Sequence, residues 1–276
     1  MCRMLMFLGT LDTEKIGVLE GIIKASFQDH VLGKYYGEPS VQHPDGWGIV
    51  IINVGNKKNY VIYKSLNPIF NERAVFRSIL EQYNDKKIAL LAHARKAATS
   101  PRNFESVHPF SYVSDKSTTI FVAHNGLINK EFFAKELNVG EAVFQKLCEG
   151  HLFAMWLARF WSEWEKRVKS MIQTGLVRVS PNAFIIELLE DDIALYAISY
   201  MNKQRIMQRV KDQRKLEALK EYYRVYYLIK DEYVLISTST IPDYMDTFDK
   251  SEWNSLSLDG EILHVTSDLN IIRKEV

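Results

Sequence analysis

The spacing of apolar residues changes along the chain, and each change predicts an element. Residues 14–31 place Ile16, Leu19, Ile22, Ile23 and Phe27 at helical intervals behind a cap at Asp12 or Thr13, which predicts a helix packed on a sheet. Residues 49–54 and 60–63 are short β-rich runs joined by Gly55-Asn56-Lys57-Lys58-Asn59, the pattern of a hairpin. The β-branched and apolar runs at 88–92 and 118–123 predict two more buried strands, the second ending at His124-Asn125-Gly126. Helical spacing returns over 129–137 and 143–168; in the latter Phe144, Leu147, His151, Met155, Ala158 and Trp161 form one inner stripe. Strand patterns follow at 184–189, 193–200, 223–229 and 233–237. Between the second and third of these, residues 202–221 are rich in Lys, Arg and Gln and sparse in apolar residues. They predict an exposed helix or helical hairpin, either a solvated face or a docking surface for an acidic partner.

A helix, then many strands with short links, then helices and strands again, predicts an α+β fold of two antiparallel sheets covered by helices. The expected organisation is a single domain over 1–276 with helical elaborations at about 143–170 and 202–221. The aromatic cluster Phe153, Trp156, Phe160, Trp161 and Trp164 reads as core or subunit interface rather than a cofactor box. Composition narrows the function classes. With 35 basic and 34 acidic residues the net charge is +1, which gives no reason to invoke nucleic acid or an anionic membrane. No apolar stretch approaches the roughly 20 residues needed to span a bilayer, and the apolar start at residues 1–8 is too short for a signal peptide. A cytoplasmic enzyme is expected, with Cys2 and Cys148 reduced. There is no Gly-rich phosphate loop and no internal repeat, and the histidines show no ligand spacing; neither a cofactor nor a metal centre is expected.

Candidate chemistry begins at the second residue. Removal of Met1 would leave the amine and the thiol of Cys2 on one carbon skeleton, and an amine with a pKa of roughly 7.7–8.0 can act as base for its own thiol. As a bare residue Cys2 reads first as a small apolar filler, the usual use of a cysteine. Asn125 and the backbone N–H beside Gly126 can donate to a developing oxyanion, although Asn-Gly is also the commonest hairpin turn. Arg95 closes the 88–92 run with a planar fork suited to a carboxylate, and Thr99 or Ser100 can add a hydroxyl. His108 is held on a loop by the following proline, touching substrate or shaping a pocket. Asp45-Gly46-Trp47-Gly48 reads as a turn entering a strand, with glycines that let the backbone pass close to Cys2.

Taken in order, Cys2, His43-Pro44-Asp45-Gly46-Trp47-Gly48, His93-Ala94-Arg95, Asn103-Phe104-Glu105-Ser106-Val107-His108-Pro109-Phe110 and Ala123-His124-Asn125-Gly126 resemble the class II glutamine amidotransferases. The likeness is weaker at 174–183, 235–239 and 253–265, which resemble the closing strands of small stand-alone members. It implies the four-layer αββα sandwich of N-terminal nucleophile (Ntn) hydrolases, with residues 3–8 as a central strand. It further implies Cys2 as nucleophile, Asn125 and Gly126 as oxyanion hole, Arg95 on the substrate α-carboxylate, and Asp45 and Trp47 in the wall beside the nucleophile. Glutamine is then hydrolysed through a γ-glutamyl thioester, and ammonia passes to water or to a synthase partner subunit, since nothing of the chain remains for a synthase domain. The family carries Thr-Asp-Ser-Glu before an apolar helix, where the aspartate pairs with the substrate α-ammonium; here the sequence is Leu147-Cys148-Glu149-Gly150, and Glu149 is the candidate replacement. Two other readings accommodate that departure: an Ntn hydrolase of γ-glutamyl peptides, and a binding or regulatory protein without catalysis. A homo-oligomer is compatible with all of them.

Overall fold

The computed structural model describes residues 2–55, 59–97 and 100–276. In chain order the elements are β1 (Arg3–Thr10), α1 (Thr13–Leu19), α2 (Gly21–Phe27), α3 (His30–Tyr36), β2 (Trp47–Asn53), β3 (Tyr60–Ser65), α4 (Arg73–Glu81), β4 (Lys87–Ala94), β5 (Phe110–Val113) and β6 (Thr119–Ile128). They continue as α5 (Lys130–Glu136), α6 (Glu141–Lys146), α7 (Glu149–Arg159), α8 (Trp164–Gln173), β7 (Val177–Leu188), β8 (Ile193–Ser199), α9 (Lys203–Arg209) and α10 (Gln213–Tyr222). The last are β9 (Val225–Lys230), β10 (Tyr233–Thr238), β11 (Asn254–Ser255), β12 (Glu261–Thr266) and β13 (Ile271–Glu275).

The unbroken apolar run of β1 is explained by burial on both faces. Side chains alternate across a strand. Met4, Met6 and Leu8 point between two sheets, where they meet Val50, Ile52 and Leu91 of their own sheet and Phe121, Phe184 and Leu195 of the other. Leu5 and Phe7 point outward under Ile16, Leu19 and Ile22 of α1 and α2 and Phe76 and Leu80 of α4. The sheet holding β1 runs β11-β9-β10-β1-β4-β2-β3 and the second runs β13-β12-β8-β7-β6-β5, with antiparallel pairing throughout. On the outer face of the second sheet, Ile120, Val122 and Ile185 pack against Phe133 of α5 and Phe153 and Trp156 of α7. The layers are therefore helix, sheet, sheet, helix: the αββα sandwich. No helix among the described residues is long and apolar enough to cross a membrane.

Several elements depart from the sequence reading. The helix expected over 14–31 is three short ones. Asp29 ends the run because its backbone N–H bonds Val41 O while its side chain accepts from Leu32 N at 2.9 Å, capping α3 instead of continuing α2. The helix expected over 143–168 breaks at Leu147 and Cys148, both extended. The break resets the phase, so Leu152, Phe153, Trp156 and Leu157 are buried while His151 and Met155 of the expected stripe are only half-buried. Strand β6 runs on through Asn125 and Gly126, paired with Asn182 and Pro181 of β7, so these two residues form neither a strand end nor a turn. The hairpin β2–β3 forms as expected, with its tip at 56–58 outside the described residues. Finally, the segment read as exposed over 202–221 is a helical pair with a buried inner face. Leu216, Leu219 and Tyr222 of α10 and Ile206 of α9 pack with Val31 and Leu32 of α3, covering one end of the sandwich where the chain crosses from β8 of one sheet to β9 of the other.

Candidate functional site

Antiparallel register places the site. Arg3 pairs with Ala94, so the start of β1 lies beside the end of β4, and Cys2 comes next to the loop that begins at Arg95. From the facing sheet β6 supplies Asn125, whose Oδ1 accepts a hydrogen bond from Cys2 N at 2.9 Å. The other end of that amide, Nδ2, is buried with no partner among the described residues. A buried donor left open is costly unless a ligand takes it. Gly126 has φ +154°, and a Cβ there would lie 1.8 Å from Ser180 O. Only glycine lets β6 and β7 approach this closely. β5 pairs no further along β6 than Val122, so the Asn125-Gly126 stretch has a strand partner on one edge only.

A cavity of about 300 Å³ opens on Cys2 and brings together Arg95, Ser100, His108, Gly126, Cys148 and Glu149. Arg95 is almost wholly buried; its Nη2 donates to Ser100 Oγ at 2.9 Å and Pro101 O at 2.7 Å, while Nη1 has no partner. Among the described residues no carboxylate pairs with it, which leaves the guanidinium open to a ligand anion. Glu149 is the first residue of α7 and also lines the cavity, so the helix-terminal and site readings of this residue coexist.

The thiols of Cys2 and Cys148 share the cavity but differ in character. Burial pushes the Cys2 thiol up, but the ammonium at residue 1 and His93 outweigh it and, with Met1 in place, bring the pKa down to about 6. Burial, reinforced by Glu149, pushes Cys148 up to about 11, so it stands as a neutral thiol where the resemblance would put an aspartate. His108 stacks on His93 with ring centroids 4.2 Å apart, and its two ring nitrogens are unpartnered. Burial holds His108 well below the ordinary imidazole pKa and takes His124 down to about 3.

Two residues expected in the nucleophile's wall are placed behind it. Asp45 accepts from Ala97 N at 2.8 Å and pairs with Arg102 at 3.2 Å, and Arg95 N donates to Gly46 O, so this turn clamps the arginine loop. Trp47 is fully buried with Phe76 and Leu80 and donates from Nε1 to Glu72 at 2.7 Å. The tightest approaches at the glycines flanking it are to other groups: a Cβ at Gly46 would meet Ser65 O at 2.7 Å, and one at Gly48 would meet His108 O at 2.3 Å. Thr99 lies outside the described residues.

The sequence reading missed part of the cavity: Tyr35 and Tyr36 of α3, Lys96, Gly150, Val179, and Ile206, Arg209, Val210 and Leu219 around the helical pair. Of these only Gly150 carried a usable signal, a glycine in the first turn of an apolar helix. A Cβ there would lie 2.6 Å from His108 Nε2 and 3.1 Å from His124 Nδ1.

A family model described as "Glutamine amidotransferases class-II" matches residues 22–155, which span the Asp45, Arg95, His108, Asn125 and Glu149 segments. Over these residues the chain is similar to the class-II glutamine amidotransferases. Two solved structures support the fold. The glutamine phosphoribosylpyrophosphate amidotransferase of B. subtilis, complexed with ADP and GMP, superposes with a TM-score of 0.57 at 15% identity. A structure described as the allosteric regulatory enzyme of purine biosynthesis superposes with 0.58 at 13%. Each match covers 99% of this chain and 49% of the other, so the chain spans about half the length of these neighbours. No curated protein sequence gives a significant match. The four-layer sandwich with a cysteine at the head of a central strand is the fold these amidotransferase structures share.

Proposed function

We propose that Cys2, with its α-amine freed by removal of Met1, hydrolyses the side-chain amide of a glutamine or γ-glutamyl unit through a thioester. The observation that carries this reading is the Cys2–Asn125 pairing across the two sheets: one end of the amide fixes the nucleophile's nitrogen and the other is left open as a buried donor. The thiolate attacks the γ-carbonyl carbon while Asn125 Nδ2 and the Gly126 N–H take the oxyanion. The C–N bond breaks, the departing amine leaves with the proton that the Cys2 amine took from the thiol, and water then cleaves the thioester. Arg95 Nη1 receives the substrate α-carboxylate and Glu149 its α-ammonium, while His108 and Gly150 shape the floor. Asp45 and Trp47 act through the loops they hold. Ammonia goes to water or to a synthase partner. No cofactor enters these steps.

Intact mass of the purified protein, with and without a glutamine-analogue electrophile, is the direct test. Loss of Met1 and one adduct, absent in Cys2→Ser, are expected, together with abolished glutamate release and nearly unchanged thermal unfolding of that variant. Undiminished turnover in Cys2→Ser would end the mechanism.

A further inference from the structure

Free glutamine accounts for only part of the cavity. Its amino-acid end is satisfied by one carboxylate ligand and one ammonium ligand, and its departing group is ammonia, which has no apolar surface at all. Yet Tyr35, Val179, Ile206, Val210 and Leu219 line the same space as Cys2. These five belong to the hydrophobic cluster that α9 and α10 build against α3, a cluster separate from the one between the sheets. Arg209, from the last turn of α9, lines the cavity as well, and it makes no ion pair or hydrogen bond among the described residues. An apolar wall with one open guanidinium is a binding surface for an organic group that glutamine lacks.

We propose that α9 and α10, with Tyr35 of α3, form a subsite for the substituent on the scissile amide nitrogen. The substrate is then a γ-glutamyl amide whose departing amine has an apolar body and a carboxylate at its far end. A single guanidinium matches a single negative charge, hence a carboxylate. The inference rests on Cys2 as nucleophile. The reaction balances as γ-glutamyl–NHR plus water giving glutamate and RNH₂: Cys2 Sγ bonds the γ-carbon, the C–N bond breaks, RNH₂ leaves with the thiol proton, and water releases glutamate from the thioester. Specificity on this reading is set by the crossover between the sheets rather than by the residues around the oxyanion.

The test compares kcat/KM for glutamine, γ-glutamyl-butylamide, γ-glutamyl-glycine and γ-glutamyl-norleucine, with release of both glutamate and amine followed by mass spectrometry. γ-Glutamyl-norleucine should be the best and glutamine the poorest. Arg209 is exposed, so Arg209→Ala should lower the norleucine-to-butylamide ratio only about 2- to 5-fold, the worth of a solvent-screened ion pair. Val210→Asn, at the half-buried edge of the wall, should instead reduce the butylamide-to-glutamine ratio, by about tenfold. Glutamine cleaved as well as or better than all three amides, with Cys2 still labelled by the electrophile, overturns the subsite and leaves the nucleophile standing. No turnover of any of the four, with Cys2 unlabelled, overturns the hydrolase reading and the subsite with it.

Discussion

Asn125 holds two jobs in one amide, and they separate on mutation. Its Oδ1 fixes Cys2 N and its Nδ2 waits unpartnered; replacing it by alanine removes both without opening a large void. Asn125→Ala should lower the chemical rate by roughly 10²–10³-fold with a smaller effect on substrate binding, read from single-turnover kinetics against substrate concentration. An equal rate would reduce Asn125 to a structural link between sheets. The two thiols give a second residue-scale prediction. Because the thiolate is the reactive species, alkylation of Cys2 should rise through a midpoint near pH 6 in the chain that keeps Met1, while Cys148, held near 11, stays inert across the same range. His93→Phe should move the Cys2 midpoint upward, since one of the charges that lower it is then gone. A midpoint left where it was would show that His93 has no hold on the thiol.

Among elements, those with a clean period were legible in the sequence and those shaped by a partner were not. The strands at 88–92, 184–189, 193–200 and 233–237 are short apolar runs; three appear within a few residues of the expected bounds, while β7 begins seven residues before its expected start, at Val177. Asn125 and Gly126 were legible as an oxyanion pair but not as mid-strand residues, because only the register with Asn182 and Pro181 decides whether Asn-Gly turns or continues. The break at Leu147-Cys148 was equally hidden: nothing in the local sequence stops a helix there. Its consequence is that Gly150 enters the first turn of α7 directly beneath His108 and His124. Gly150→Ala would gain helix propensity in a peptide, but here the new methyl must displace a buried ring that stacks on His93. The overpacking term wins, at about 1–3 kcal/mol against less than 1. The expected outcome is a lower midpoint of thermal unfolding and weakened turnover together. A more stable variant would mean that the histidine rings have room to move.

At the scale of the whole molecule, the sandwich buries several ionisable groups around its nucleophile, and they set its response to acid. Arg3, Asp29 and His43 are fully buried behind Cys2. Asp29 receives Arg3 Nε and His43 Nε2, both at 2.8 Å, and Thr240 Oγ1 at 3.0 Å. Burial pushes the Asp29 carboxyl up, but Arg3 and His43 outweigh it and hold it well below the usual carboxylate range. Burial pulls His43 down to about 4 despite Asp29, and takes His124 to about 3 and His108 well below the ordinary value. All four depressed values act in one direction. Above about pH 6.5, the ordinary histidine value, neither state protonates its imidazoles; below it the unfolded chain binds protons that the native chain refuses, so stability falls as pH falls. The loss runs from about 6.5 down toward the folded values near 4 and 3, and Asp29 adds to it below about 4. With three buried imidazoles the slope reaches at most about 4 kcal/mol per pH unit. Activity has a separate acid limit, since protonation of the Cys2 thiolate near 6 is a local and reversible event in a folded protein. Chemical denaturation and turnover measured side by side from pH 8 to pH 4 should therefore show turnover falling first and recovering on return to pH 8, with the denaturation midpoint dropping steeply below 6. A midpoint that stays level between pH 6.5 and 4.5 would mean that these histidines take up protons in the native state and that the interior around Cys2 is open to water.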